Sequence, residues 1–254
     1  MKKNQKGAAL IVVLFFLVIL TIIGTLAVRQ SLVGLNIATN SQAQQLQLQN
    51  SEASFFKAED VDRLEEAFSG EGFLAYFNNV LGLDKELVFC FRGDQKPFFD
   101  INKASAVEWE QGKTSPTNSN LGKDGFCDAS EQSTNFFTSG RKVAMTQVAI
   151  KYSTVNNTAR LSGLVTGIDP KSMQADAAKP VKLFVVTLMP TLSSENRSAI
   201  NECLQNHMSE VTIPLGTAVP QSSKYRKSVT ECLKDLSVPF SSYTTEYSSV
   251  EAAT

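Results

Sequence analysis

Four cysteines and a single histidine are the residues of this 254-residue chain best equipped for metal or redox chemistry. Cys90, Cys127, Cys203 and Cys232 are widely spaced, none belongs to a CxxC pair, and His207 is the only histidine. Zinc sites draw on closely spaced Cys and His pairs, so the spacing points away from a metal centre. An even number of distant cysteines fits two disulfides in an exported domain. Three pairings are open. The favoured one joins Cys90 to Cys127 and Cys203 to Cys232. A bridge from Cys90 to Cys127 would pin the polar stretch between them, worth about 3–4 kcal/mol by loop-closure entropy.

Little else suggests catalysis. His207 follows polar Asn206 on a predicted helix and reads as a solvated histidine. No GxSxG, HExxH, Walker A or GxGxxG pattern occurs. The RGD tripeptide at 92–94 is a match short enough to arise by chance. The acidic "GKDGFCD" lacks EF-hand spacing and reads as solvated carboxylates. With 24 basic against 25 acidic residues, no basic surplus suggests nucleic acid. The expectation is a protein that is not an enzyme, with no cofactor and no metal.

The strongest signal lies near the start, in "KGAALIVVLFFLVILTIIGTLAV". Residues 8–28 carry no charge and, as a helix, span about 30 Å, the thickness of a bilayer's hydrocarbon core. A secretory signal has a shorter apolar region of about 7–15 residues and a small-x-small cleavage site. Here Arg29 and Gln30 follow instead. Lys2, Lys3 and Lys6 precede the run and belong in the cytoplasm by the positive-inside rule. The rest of the chain then faces an oxidising compartment, in agreement with the cysteines. No proline occurs before Pro97, and "RQSLVGLNIATNSQAQQLQLQNSEASFFKAEDVDRLEEAF" is rich in helix formers. Leu35, Ala38, Leu46, Ala53 and Phe56 form a loose helical stripe. One helix is predicted from 8 to 68, apolar all round over 8–28 and amphipathic over 29–68, where it lies against a globular head of residues 69–254.

The first 55 residues or so resemble a known family. "KGAALIVVLFFLVILTIIG", with its short basic leader ending in Gly7, is similar to a class III prepilin signal. "GTLAVRQSLVGLNIATNSQAQQLQLQNSEAS" resembles the N-terminal region of PilX-type minor pilins of type IV pili. The resemblance implies that residues 1–7 are a leader, that prepilin peptidase cuts after Gly7, and that Ala8 becomes an N-methylated terminus. It implies residence in the inner membrane and then in a pilus on the cell surface. The implied partners are the major pilin, other minor pilins and an adhesin at the tip. The sequence departs from the family where most pilins carry a glutamate, at the fifth residue after the cut. Here that residue is Val12. A carboxylate in an apolar bundle is costly unless paired. Val12 needs no such partner, whereas the ammonium of Ala8 can still receive a glutamate from the next subunit. That asymmetry suits a subunit at or near the tip that primes assembly. A minor pseudopilin of type II secretion and a membrane-anchored periplasmic binding module are the alternatives.

Beyond residue 68 the pattern changes. Gly70 and Gly72 end the helix. "ELVFCFR", "KVAMTQVAIKYS" (142–153), "ARLSGLVTGI" (159–168) and "VKLFVVTLMP" (181–190) read as strands, with "TVNNTA" as a hairpin turn. The stretch 103–125 reads as a surface loop. "NRSAINECLQ" (196–205) and "YRKSVTECLK" (225–234) share Glu-Cys-Leu and read as two short helices. Ser193 or Ser194 is the expected cap of the first, and Ser222 or Ser223 of the second. Cys203 and Cys232 sit at equivalent places, which favours a bridge between them. The Ser/Thr-rich tail either adds a strand or stays mobile. The predicted fold class is α+β and pilin-like: a long N-terminal helix on an antiparallel sheet, with a disulfide-linked helical C-terminal part.

Overall fold

The computed structural model describes residues 6–58, 76, 84–93, 98–130, 138, 143–153 and 181–247. The chain forms two compact units, Met1–Leu46 and Gln47–Thr254. Helix α1 (Lys6–Ala58) begins in the first and ends in the second. It is helical throughout because no proline interrupts it and good helix formers fill its second half, and its threonine hydroxyls find partners in the helix's own carbonyls. Thr21 donates to the Val18 carbonyl, Thr25 to Ile22 and Thr39 to Leu35. The expected stretch 59–68 and the stop at Gly70 and Gly72 lie outside the described residues.

The second unit is built on six strands: β1 (Lys85–Phe91), β2 (Ala104–Glu108), β3 (Thr117–Asn120), β4 (Met145–Tyr152), β5 (Val181–Leu188) and β6 (Phe240–Tyr247). They pair antiparallel in the order β3-β2-β1-β4-β5-β6. Register fixes what each face shows. Leu87, Ile150 and Leu183 stand side by side, as do Phe89, Val148 and Val185, and all face α1. Phe55 and Ala58 of α1 pack on that layer. Val88, Ala149 and Phe184 point the other way, into a core completed by Val107, Trp109 and Met208. Beside it, Met145, Val186 and Leu188 meet Ile200 and Leu204 of helix α2 (Arg197–Asn206) and Leu233 of helix α3 (Val229–Asp235). A sheet covered on both faces explains why "ELVFCFR" alternates poorly: Glu86 to Phe91 are all buried.

Both bridges follow the favoured pairing. Cys90 is joined to Cys127 and Cys203 to Cys232, with Cα–Cα distances of 4.8 and 5.6 Å. The first ties β1 to the chain after β3, and the second ties α2 to α3.

Several expectations are corrected. Residues 103–125 are not a loop throughout; they hold β2 and β3. Small residues hid β2, where Ala104, Ser105 and Ala106 are buried but contribute little hydrophobicity. The edge strand β3, "TNSN", is exposed along its whole length and has no apolar pattern to read. The caps also differ. Ser193 accepts from the Glu195 amide and closes a turn, so α2 starts later, with Asn196 accepting from Ser198 N. Ser223 precedes a single 3-10 turn, Lys224–Arg226. Ser228 caps α3 in a reciprocal box with Glu231. The tail supplies β6, and the strand expected at 159–168 with its turn lies outside the described residues.

Candidate functional site

The apolar part of α1 is the first feature with functional weight. Within the single chain, Leu10, Phe15 and Leu20 are each at least 63% exposed, and the apolar stretch has no buried part. The helix is long and apolar enough to cross a membrane. Gly7 and Ala8 lie in its first turn. Val12 is exposed among other apolar side chains. Between Lys6 and Glu52 the only charged side chain is Arg29.

Where α1 enters the second unit its seat is polar. Gln47, Ser51 and Ser54 are buried, spaced four and three apart, which keeps them on one helical face. The expected contact stripe is therefore corrected: Leu35 and Phe56 are 59% and 73% exposed, and Ala38 and Ala53 are exposed too. The reason lies in the sheet. At this end its α1 face carries Thr146, Thr187 and Ser241, side by side on β4, β5 and β6. Ser51 Oγ lies 2.8 Å from Thr187 Oγ1 and 3.3 Å from Ser241 Oγ. Thr187 continues to Thr146 at 3.0 Å, and Thr146 to Thr138 at 2.8 Å. A hydroxyl both donates and accepts, so it suits this face better than a leucine would. Lower down, Phe55 meets Tyr243 edge-on with centroids 6.4 Å apart, and Lys57 sits over Phe91. The spacing of Gln47, Ser51, Ser54 and Ala58 carried the signal, but a search for apolar side chains passes over it.

The opposite face holds a buried charge pair that the sequence did not reveal. Glu86 and Lys151 are both fully buried, with Nζ 3.9 Å from Oε1. Ser209 N and Glu210 N donate to the two carboxylate oxygens at 2.7 and 2.9 Å. Lys151 donates to the Glu210 carbonyl at 2.8 Å and to Thr212 Oγ1. Burial pushes the Glu86 carboxyl up, and Lys151 and the two amides pull it back. Burial pushes the Lys151 ammonium down, opposed by Glu86 and Glu210. Two N–H donors on two oxygens suit the ionised carboxylate. The pair's job is structural: it fastens the chain after α2 to the sheet.

His207 is corrected as well. It is buried, not solvated, with Nδ1 2.9 Å from the Lys227 carbonyl oxygen and its ring 5.6 Å from that of Tyr225. It caps α2 where the chain turns, and its ring bridges to the returning segment. Arg92 of the RGD triplet is also buried, donating to the Asp124 carbonyl at 3.0 Å, and Asp94 lies outside the described residues. No group of three or more His, Cys, Asp or Glu side chains able to hold a metal occurs among the described residues. No protein-family model, curated protein or solved structure matches this chain.

Proposed function

We propose that this chain is a PilX-type minor pilin of the type IV pilus, placed at or near the tip, where it primes assembly and helps display an adhesin. The carrying observation is one helix with an exposed apolar stretch that continues, without a break, into a disulfide-bridged α+β unit. Such a helix serves first as an anchor in the inner membrane and then as a rod packed among sister helices of a filament. Prepilin peptidase removes residues 1–7 on the cytoplasmic side and leaves the apolar rod attached. Val12 brings no carboxylate into the packed bundle, so the subunit needs no neighbour above it. Its partners on this reading are the major pilin and other minor pilins.

Mass spectrometry of the native protein tests the reading. The expected N-terminus is N-methylated Ala8, and the polypeptide is expected in purified fibres. An intact Met1, or a cut beyond Val28, overturns it. A methylated Ala8 in a protein that copurifies with a secretion pseudopilus selects the pseudopilin alternative.

A further inference from the structure

Arg29 is exposed on α1, and its guanidinium has no hydrogen-bond or ion-pair partner among the described residues. Its own helix offers none. A helical ion pair needs an acid three or four positions away, and the nearest acid along the chain is Glu52, 23 positions on. The surroundings are apolar instead. Leu26 and Val28 before it are 54% and 60% exposed, and Leu32, Val33, Leu35 and Ile37 after it are 55–65% exposed. The apolar surface therefore runs past the one charge by more than two turns. Residues 8–37 measure about 45 Å as a helix, more than a hydrocarbon core of about 30 Å can cover. Such a helix has a choice of depths. Hydrophobicity alone draws it in as far as Ile37. Sinking that far carries Arg29 about 12 Å into hydrocarbon, which a charge resists. With Arg29 held at one face of the bilayer, the start of α1 at Lys6 falls about 34 Å away, at the other face.

We infer that Arg29 binds a phospholipid phosphodiester at the membrane face away from the N-terminal lysines, and that this contact stops α1 at Val28. The inference rests on the membrane anchorage in the reading above, and not on filament entry or tip placement. The side chain suits the ligand. A guanidinium is planar and always charged, and its paired N–H donors match two phosphate oxygens, where a lysine brings only a point charge. Gln30 and Ser31, also exposed, follow with uncharged polar groups at headgroup level. A carboxylate on a neighbouring protein is the poorer ligand, because only the lipid accounts for the 23 residues between Lys6 and Arg29.

The test uses the full-length protein with arginine labelled at 13Cζ, in vesicles of phosphatidylethanolamine and phosphatidylglycerol and in buffer free of inorganic phosphate. The protein is expected to float with the vesicles and to resist extraction by alkaline carbonate. Dephasing of 13C by 31P is expected to place an arginine Cζ about 4 Å from phosphorus. Arg29→Gln is expected to lower that dephasing at least fivefold while the protein still floats. A nitroxide on Val33→Cys reads the depth, since the native cysteines are all bridged. Arg29→Leu is expected to make that label at least threefold less accessible to an aqueous nickel chelate, and Arg29→Lys to change it less than twofold. Extraction of the wild type by carbonate overturns this inference and the membrane reading together. A protein that stays in the bilayer with no phosphorus near Arg29, the result a protein carboxylate would give, overturns the inference alone. So does a label at position 33 whose depth ignores Arg29→Leu.

Discussion

On the α1 face of the sheet, Ser51 enters a file of neutral hydroxyls formed by Ser241, Thr187, Thr146 and Thr138. On the other face, Glu86 and Lys151 hold the chain after α2 with full charges out of water. Both contacts are buried and polar, yet they answer damage differently. A hydroxyl that loses a neighbour can rotate and donate elsewhere, so each bond contributes only about 0.5–1.5 kcal/mol net. A buried ammonium that loses its carboxylate must either bear the cost of an unpaired charge out of water or give up its proton, and both are costly. The seat of α1 is therefore tolerant, and the C-terminal layer is not.

The sharpest way to break this comparison is Glu86→Gln. It keeps the shape, removes the charge, and leaves Lys151 buried among atoms that offset it poorly. The expected loss is about 3–5 kcal/mol. Urea unfolding of the full chain in detergent reads it, with the buried Trp109, the chain's one tryptophan, as the fluorescent reporter. The double variant Glu86→Leu with Lys151→Met removes both charges and is expected to recover most of that loss. A single variant no worse than the double would show that charge is not what matters there. Next in size is Cys203→Ser with Cys232→Ser. Opening the bridge between α2 and α3, 29 residues apart in sequence, frees the unfolded chain and is expected to cost about 3 kcal/mol in the same assay.

How legible each part was follows from whether it was made of apolar or polar contacts. The apolar run of α1, β4 and β5 announced themselves by Val, Ile, Leu and Phe. The Cys203–Cys232 bridge was within reach because Glu-Cys-Leu recurs on α2 and α3, and the Cys90–Cys127 bridge because the two cysteines bracket a polar stretch. The hydroxyl seat and the charge pair were not legible. Serine on an amphipathic helix reads as a solvated face until the opposing strands prove to carry Thr146, Thr187 and Ser241. Glu86 and Lys151 are 65 residues apart in sequence and sit on strands that do not follow one another in the chain, paired only once β1 and β4 lie side by side. His207 was misread for the same reason: its partner, the Lys227 carbonyl, comes from a distant return of the chain. β2 and β3 were lost because alanine, serine and asparagine carry no strand pattern of their own.

The tolerant face makes a smaller prediction. Ser51→Ala removes the hydroxyl that links α1 to β5 and β6, but Thr187 keeps Thr146 as a partner. The expected loss is about 1 kcal/mol, several times less than for Glu86→Gln, and equal losses would erase the distinction between the faces.

The smallest effect tests whether burial, and not charge alone, makes the C-terminal layer intolerant. Glu202 of α2 and Lys224 form an ion pair in the same layer, but their side chains are 45% and 57% exposed. The hydrogen bond from Lys224 and its charge hold the Glu202 carboxyl below its ordinary range. A folded-state value below the unfolded one means the pair stabilises at and above the unfolded carboxylate pKa of about 4.3, and that the contribution fades as pH falls through the folded value. Because water screens it, the whole effect is expected to be about 0.2–0.5 kcal/mol. Lys224→Ala should lower stability by that amount at pH 6 and leave it unchanged at pH 2, where Glu202 is protonated in both proteins. Added salt should shrink the difference at pH 6 and leave the Glu86→Gln loss nearly intact, because screening ions reach an exposed pair and not a buried one.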